Sequence, residues 1–202
     1  SAADARQWAW LGVRIRDLSE QEMEEIAARH GIREGFGVVI VEVIEGAPAE
    51  KAGLKAGDIV VAFDGRPVTE TRLLQRLIAA APTERETPLT VLRAEGRQRV
   101  AVKLAAMPRA IVGERIAAEF GFIVREPEGQ GAAAPSIAVV IRGSSAEKAG
   151  LEAGDVILQV NEQAVVSREA AREALADAVP ERPLRLTVRR GQSHLSVTLN
   201  TP

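Results

Sequence analysis

Cysteine and tyrosine are absent from the 202 residues, and the aromatic side chains reduce to four Phe and two Trp. Without cysteine there are no disulfides, no thiolate metal sites and no thiol nucleophile, and the redox compartment leaves no mark on the chain. So few rings cannot build a base-stacking platform for single-stranded nucleic acid. A formal net charge of -2 removes the bulk electrostatic case for nucleic acid or an anionic membrane, although most of the 26 cations are arginine and could gather locally. No apolar run reaches the ~18 residues of a spanning helix. The opening SAADARQWAW lacks the charged-then-apolar layout of a signal peptide, so no direct membrane insertion is expected. The only histidines, His30 and His194, lack ligand-spaced partners, and no phosphate-binding loop is present, so neither a metal nor another cofactor is expected.

What the chain does contain is a repeat. AEKAGLKAGD (49–58) returns as AEKAGLEAGD (146–155), with nine of ten positions matched at an offset of 97, the length of a small domain. The register extends to VIVEVI (39–44) on SIAVVI (136–141) and to DIVVAFDGRPV (58–68) on DVILQVNEQAV (155–165). At an offset of 95, PLTVLRAEGRQRVAVKL (88–104) matches PLRLTVRRGQSHLSVTL (183–199). The expected organisation is a tail over 1–9, a first domain over 10–106, a short linker over 107–113 around Met107-Pro108-Arg109, and a second domain over 114–202.

Each unit reads as α+β and mostly β. A strand leads to a small-residue helical turn, a short apolar strand, one amphipathic helix (69–81 or 167–178), and a hairpin turning at Glu95-Gly96 or Arg190-Gly191. In the repeated decapeptide, Pro48 or Ser144-Ser145 suits the start of a helical turn, and Gly53 and Gly150 fit a left-handed stop. Leu54 and Leu151 fold back as anchors, and the Gly-Asp pairs turn the chain into the next strand. Of its side chains only Glu50, Glu147, Asp58 and Asp155 could do acid–base work, and the repeat is read as scaffold. The first unit adds a helix over 19–31, with a Ser19/Glu22 capping box and Gly31 as its stop, placed to cover one end of a groove. The second has EPEGQGAAAPS (126–136) there, read as a mobile loop, and Asn161-Glu162 in place of the Asp64-Gly65 turn.

APAEKAGLKAGDIVVAFDGRPV and its second copy resemble the core of PDZ domains, in the form found in the HtrA (Do-like) family of bacterial envelope serine proteases. The resemblance runs from Trp10 to Leu199. It implies two tandem PDZ-like, partly open β-barrels or sandwiches with the bacterial, permuted strand order, each capped by one main helix. It also implies that an aromatic-Leu-Gly-Ile loop receives the free carboxylate of a bound peptide, and WLGV (10–13) stands at that place, with EFGF (119–122) in the second copy. A glycine turn that frees consecutive N–H groups makes an anion nest, and the following strand offers an edge for strand addition. The residues expected at the first site are Trp10, Leu11, Gly12, Val13 and Ile15, with Thr71, Gln75 and Ile78 on the helical wall if Leu74 points inward. Those of the second are Phe120, Gly121, Phe122 and Val124, with Arg168, Arg172 and Leu175 on the wall and Ala171 inward. Ile78 and Leu175 fit the core equally well. Arg168 and Arg172, one turn apart, would select an acidic peptide residue or stand as solvated arginines. GFGVVI (35–40) mimics a carboxylate loop, but the offset of 97 puts it ahead of a core strand.

A Ser-His-acid site is not supported: Gly-x-Ser-Gly-Gly is missing, and GSS (143–145) belongs to the helical turn. The expected function is non-enzymatic capture of peptides or unfolded-protein C-termini, by a regulatory segment of an HtrA-like protease whose catalytic domain lies upstream of Ser1. That resemblance implies a role in protein quality control in the bacterial periplasm, with any oligomer formed through the parent protein. The alternative is a scaffold, or the tandem PDZ segment of a site-two-type intramembrane protease.

Overall fold

The computed structural model describes residues 8–32, 35–125 and 134–202. The chain divides into two compact units, one within Gln7–Met107 and one within Pro108–Pro202. Both are mixed sheet-and-helix units. The first runs β1 (Ala9–Trp10), β2 (Val13–Asp17), α1 (Glu20–His30), β3 (Val38–Val43), α2 (Pro48–Lys51), β4 (Ile59–Phe63), β5 (Arg66–Pro67), α3 (Thr71–Ala80), β6 (Glu86–Arg93), β7 (Gly96–Lys103) and β8 (Ala105–Ala106). Its antiparallel sheet is ordered β2-β3-β4-β6-β7, so β2 is an edge strand.

A register shift between Val60 and Ala62 interrupts the alternation of β4 and decides what each face carries, since it lets residues three apart point to the same side. Val60 and Phe63 enter the main core with Ile40, Leu89 and, from α3, Leu74 and Ile78. Val61 faces the other way and forms a smaller core with Leu92 and Ile26 of α1. The α1 boundaries follow their caps: Ser19 and Glu22 form a reciprocal capping box, and Gly31 ends the helix in the left-handed region. This helix lies on the outer sheet face instead of over a groove end, because Ile26 gains more by covering Val61 and Leu92 than by meeting water; burying it stabilises by about 1.5–3 kcal/mol.

The second unit runs α4 (Arg109–Phe120), β9 (Phe122–Arg125), β10 (Ser136–Val140), α5 (Ser145–Lys148), β11 (Val156–Val160), β12 (Gln163–Ala164), α6 (Arg168–Ala176), β13 (Leu184–Arg190) and β14 (Ser193–Leu199). Its sheet order, β9-β10-β11-β13-β14, repeats the path of the first. The loop read as mobile falls largely on 126–133, outside the described residues.

Three expectations change. The offset stays at 97 through the last hairpin: Phe63 pairs with Leu89 as Val160 pairs with Leu186, and the two-residue turns are 94–95 and 191–192. The shift to 95 arose from aligning Gly96 with Gly191, which occupy different turn positions. Residues 109–113, expected as linker, are the first turns of α4, which gives the second unit two substantial helices in place of one. Ala9, expected in the tail, is buried and strand-paired with Ala106.

The repeated decapeptide is structural in both units. Pro48 opens α2, Ser144 caps α5 by accepting from the Glu147 amide, and Leu54 and Leu151 are buried. The buried carboxylates Asp58 and Asp155 each bind one arginine through both oxygens: Arg93 at 2.9 and 2.8 Å, and Arg190 at 2.8 and 2.7 Å. The same guanidinium donates to the Gly53 or Gly150 carbonyl, and Asp58 and Asp155 also accept from the Lys55 and Glu152 amides. A planar fork matches a carboxylate bidentately and still has a donor left for a carbonyl. Burial alone would raise the Asp155 carboxyl, but the Arg190 fork and the Glu152 amide overcome it and hold the group below its ordinary value.

Candidate functional site

The stretch from Trp10 to Val13 sits between the short pairing of β1 with β8 and the edge strand β2. Gly12 has φ 81°, and a Cβ there would lie 2.1 Å from the Ala47 Cβ, so only glycine fits this turn. The Leu11 carbonyl accepts from the Ala49 amide and the Gly12 carbonyl from the Ile44 amide, both at 2.9 Å. The peptide bonds of the described residues are trans, so the N–H sharing each of these units points the opposite way. The Gly12 and Val13 amides are thereby directed away from α2 and β3, a pair of adjacent donors beside an edge strand. That arrangement suits a carboxylate.

Around the donors, Leu11 is buried beneath the loop, while Val13 and Ile15 are half-buried against the main core. The Trp10 ring lies against Gly12, with Cζ2 3.5 Å from where a Cβ would be. On α3, Leu74 points inward as expected and Ile78 joins it in the core; Thr71 is half-exposed and Gln75 exposed. The start of α3 is held at the end of β2, where the Thr71 amide donates to Asp17 Oδ1 at 2.7 Å. Sequence reasoning missed Asp17, because it caps the helix from 54 positions away while Glu70, at the N-cap, makes no side-chain cap bond. GFGVVI lies elsewhere: Gly37 packs against Ile59 and Val61, and the residues after it form β3 inside the sheet.

The second unit places Gly121 where the first has Gly12. Its φ is 106°, its carbonyl accepts from Ile141 at 2.8 Å, and a Cβ would lie 2.0 Å from the Ser144 Cβ. The donors differ. The Gly121 amide closes the end of α4 by donating to Ala117 at 2.9 Å and Ala118 at 3.1 Å. Phe120 and Phe122 are fully buried, and Val124 is half-buried.

The helical wall differs as well. Ala171 and Leu175 are both inward. Arg168 and Arg172 are not solvated: their side chains are 24% and 18% exposed, and both engage Glu114 Oε1 of α4, at 3.3 and 2.6 Å. Gly113 lets the two helices touch, since a Cβ there would lie 2.1 Å from the Arg172 carbonyl oxygen. At the other end of the contact, Arg109 bonds Glu173 at 2.7 Å and also Asp177. Sequence reasoning missed α4, although Pro108 before its first turn, Val112, Ile116 and Phe120 at spacings of four, and Gly121 at its end were all legible.

Among the described residues no cluster of acidic, histidine or cysteine side chains could hold a metal, and no helix is long and apolar enough to cross a membrane.

Comparison with known proteins identifies the type of both domains. Two family models described as PDZ domain match residues 9–104 and 136–190. Among curated proteins, the chain is 33% identical over 198 residues to a "Probable periplasmic serine endoprotease DegP-like" of Halomonas elongata, covering 92% of this chain and 41% of that protein. Proteins of the same description from Rhizobium meliloti and Brucella suis are 31% and 30% identical, with 84% of this chain covered in each and 36% and 34% of theirs. The chain thus spans well under half the length of these relatives, and the matched portion is the paired PDZ region without a catalytic protease domain. The chain belongs to the PDZ family, as a tandem of PDZ domains homologous to the PDZ regions of HtrA-type periplasmic serine proteases.

Proposed function

We propose that the first domain captures the free C-terminus of an extended peptide, which adds to the edge of β2 and places its carboxylate on the Gly12 and Val13 amides. The observation that carries this reading is the inward anchoring of the Leu11 and Gly12 carbonyls, which turns the two donors outward. Trp10, Leu11, Gly12, Val13 and Ile15 form the loop and strand side, and Thr71, Gln75 and Ile78 the helical side, with Ile78 contributing from the core. A few backbone hydrogen bonds at about 0.5–1.5 kcal/mol each and one buried side chain at about 1.5–3 kcal/mol, set against association entropy, make the binding roughly micromolar. The segment acts as the regulatory region of an HtrA-like serine protease in protein quality control, in the bacterial envelope, on peptides and unfolded C-termini. Each unit closes as a partly open barrel with the permuted bacterial strand order, and oligomerisation resides in the parent protein.

Intrinsic fluorescence tests the site, because Trp8 and Trp10 are the only tryptophans and both flank it. Peptides with a free C-terminus are expected to change the emission and their amidated counterparts to leave it unaltered; equal responses would remove the carboxylate from the recognition. A scaffold reading holds for the second domain in its closed form, where the Gly121 amide is spent on α4. Sequence upstream of Ser1 separates the parents: a trypsin-like domain for the HtrA type, transmembrane segments with a metal-binding helix for the site-two type.

A further inference from the structure

We propose that α4 is a tethered occupant of the second domain, with the Glu114 carboxylate held on Arg168 and Arg172 in place of an acidic side chain of a peptide, and that this domain takes acidic C-terminal peptides only once α4 is released. The inference rests on the reading that PDZ grooves here accept peptide beside the strand after the glycine loop. Three observations converge on α4. Its Glu114 Oε1 meets both arginines of the α6 wall. Its last turn takes the Gly121 amide, one of the two loop donors, while the Gly121 carbonyl anchored by Ile141 leaves the Phe122 amide pointing outward. Its Gly113 seats the helix against the α6 backbone at Arg172. The arginine pair also keeps an unused donor: Arg172 Nε is buried without an acceptor among the described residues.

The ligand class follows from charge and spacing. Two guanidinium groups one helical turn apart select a carboxylate, and a neutral side chain cannot replace it. Arg168 lies seven residues before Leu175, about 10 Å along a helix, which is about three residues of extended chain. The matching peptide carries an acidic residue about three positions before its free C-terminus. Because only the α4-released form binds, the apparent affinity of the closed protein is lowered by the fraction released. Loosening α4 raises it without any change in the arginines.

The full 202-residue chain is titrated by calorimetry and by tryptophan emission with a decapeptide ending in valine, bearing glutamate three residues before the end, and with its glutamine counterpart. The wild type is expected to bind at one site, the tryptophan-reporting first domain. Arg109→Ala combined with Glu114→Gln, which removes the ion pairs of α4 to α6, is expected to add a second site silent in tryptophan emission, about tenfold selective for the glutamate peptide. Gly113→Val pushes the helices apart by a steric route and is expected to do the same. Two sites in the wild type, one site in both variants when circular dichroism shows them folded, or a second site indifferent to glutamate would overturn the proposal. A wild type with no tryptophan response to either peptide instead defeats the first-domain reading, while the site gained on release still reports on α4.

Discussion

The two domains share a scaffold and differ in what they attach to it. Each buries an aspartate on an arginine fork at the same place, Asp58 on Arg93 and Asp155 on Arg190, and each ties a glycine carbonyl to the strand entering the repeat. The added helices go to different places. In the first domain α1 covers the outer face of the sheet and meets the edge strand through the Arg16–Glu22 ion pair, away from the glycine loop. In the second, α4 ends in the loop itself and packs on the helical wall. Even the outer surface of the edge ribbon diverges: the first domain has the exposed ion pair Arg14–Glu42 where the second pairs exposed Ile123 with Val139. A shared frame of hydrogen bonds thus accepts differently placed helices around it, because the frame and the added helices share few side chains.

If the frame is common, breaking it costs the same in both halves. Asp58→Ala and Asp155→Ala each remove the buried carboxylate of the fork, leaving Arg93 with Gln98 and the Gly53 carbonyl and Arg190 with Glu152 and the Gly150 carbonyl, and each is expected to lower stability by about 1.5–3 kcal/mol, measured by denaturant unfolding. A difference between them of more than about 1 kcal/mol would show that the forks are not equivalent. The loop glycine follows. Gly12→Val drives a side chain into Ala47 in an unfavourable φ, and is expected to weaken C-terminal peptide binding at least about tenfold; unchanged affinity in a folded variant would dissociate the site from this turn.

The added helices allow sharper contrasts. Ile26→Ala empties the small core under α1, and is expected to cost about 2–4 kcal/mol in the first domain alone. Hydrogen exchange reads it: α1 amides should lose protection while those of α6 keep theirs. Smallest is the pH response of the α1 cap. The Arg16 guanidinium, with the Ser19 amide, lowers the Glu22 carboxyl from 4.5 to about 2. A carboxyl depressed on folding stabilises fully above its ordinary value, and that contribution is lost as pH falls through about 2. The α1 amide resonances should therefore remain native-like down to about pH 3 and fray below it; fraying near pH 4.5 would mean that the Arg16 pair does not form in solution.

Much of this was readable before any fold was seen. A ten-residue repeat reveals a tandem because backbone turns constrain their own residues locally: proline or serine to start, glycine where φ is positive, leucine to anchor. The α1 caps are legible for the same reason, Ser19, Glu22 and Gly31 all lying within one helix. The loop glycines Gly12 and Gly121 were found by their neighbours, and both occupy equivalent turns. What escaped was every partner chosen across space. Asp58 does not announce Arg93, which lies 35 residues away, and Asp17 does not announce the amide of Thr71.

Helix α4 shows where that limit matters for function. Arg168 and Arg172 read from sequence as either peptide-reading or solvated, and periodicity cannot choose between the two. The choice is made by Glu114, brought to them because Gly113 permits a close helix crossing and Phe120 buries the helix end beside the loop. Local patterns of turn, cap and alternation are written into the chain because they depend on neighbours in sequence. Whether those two arginines meet water or a carboxylate depends on which distant side chain the packed helices bring to them, and that is settled only when the chain folds.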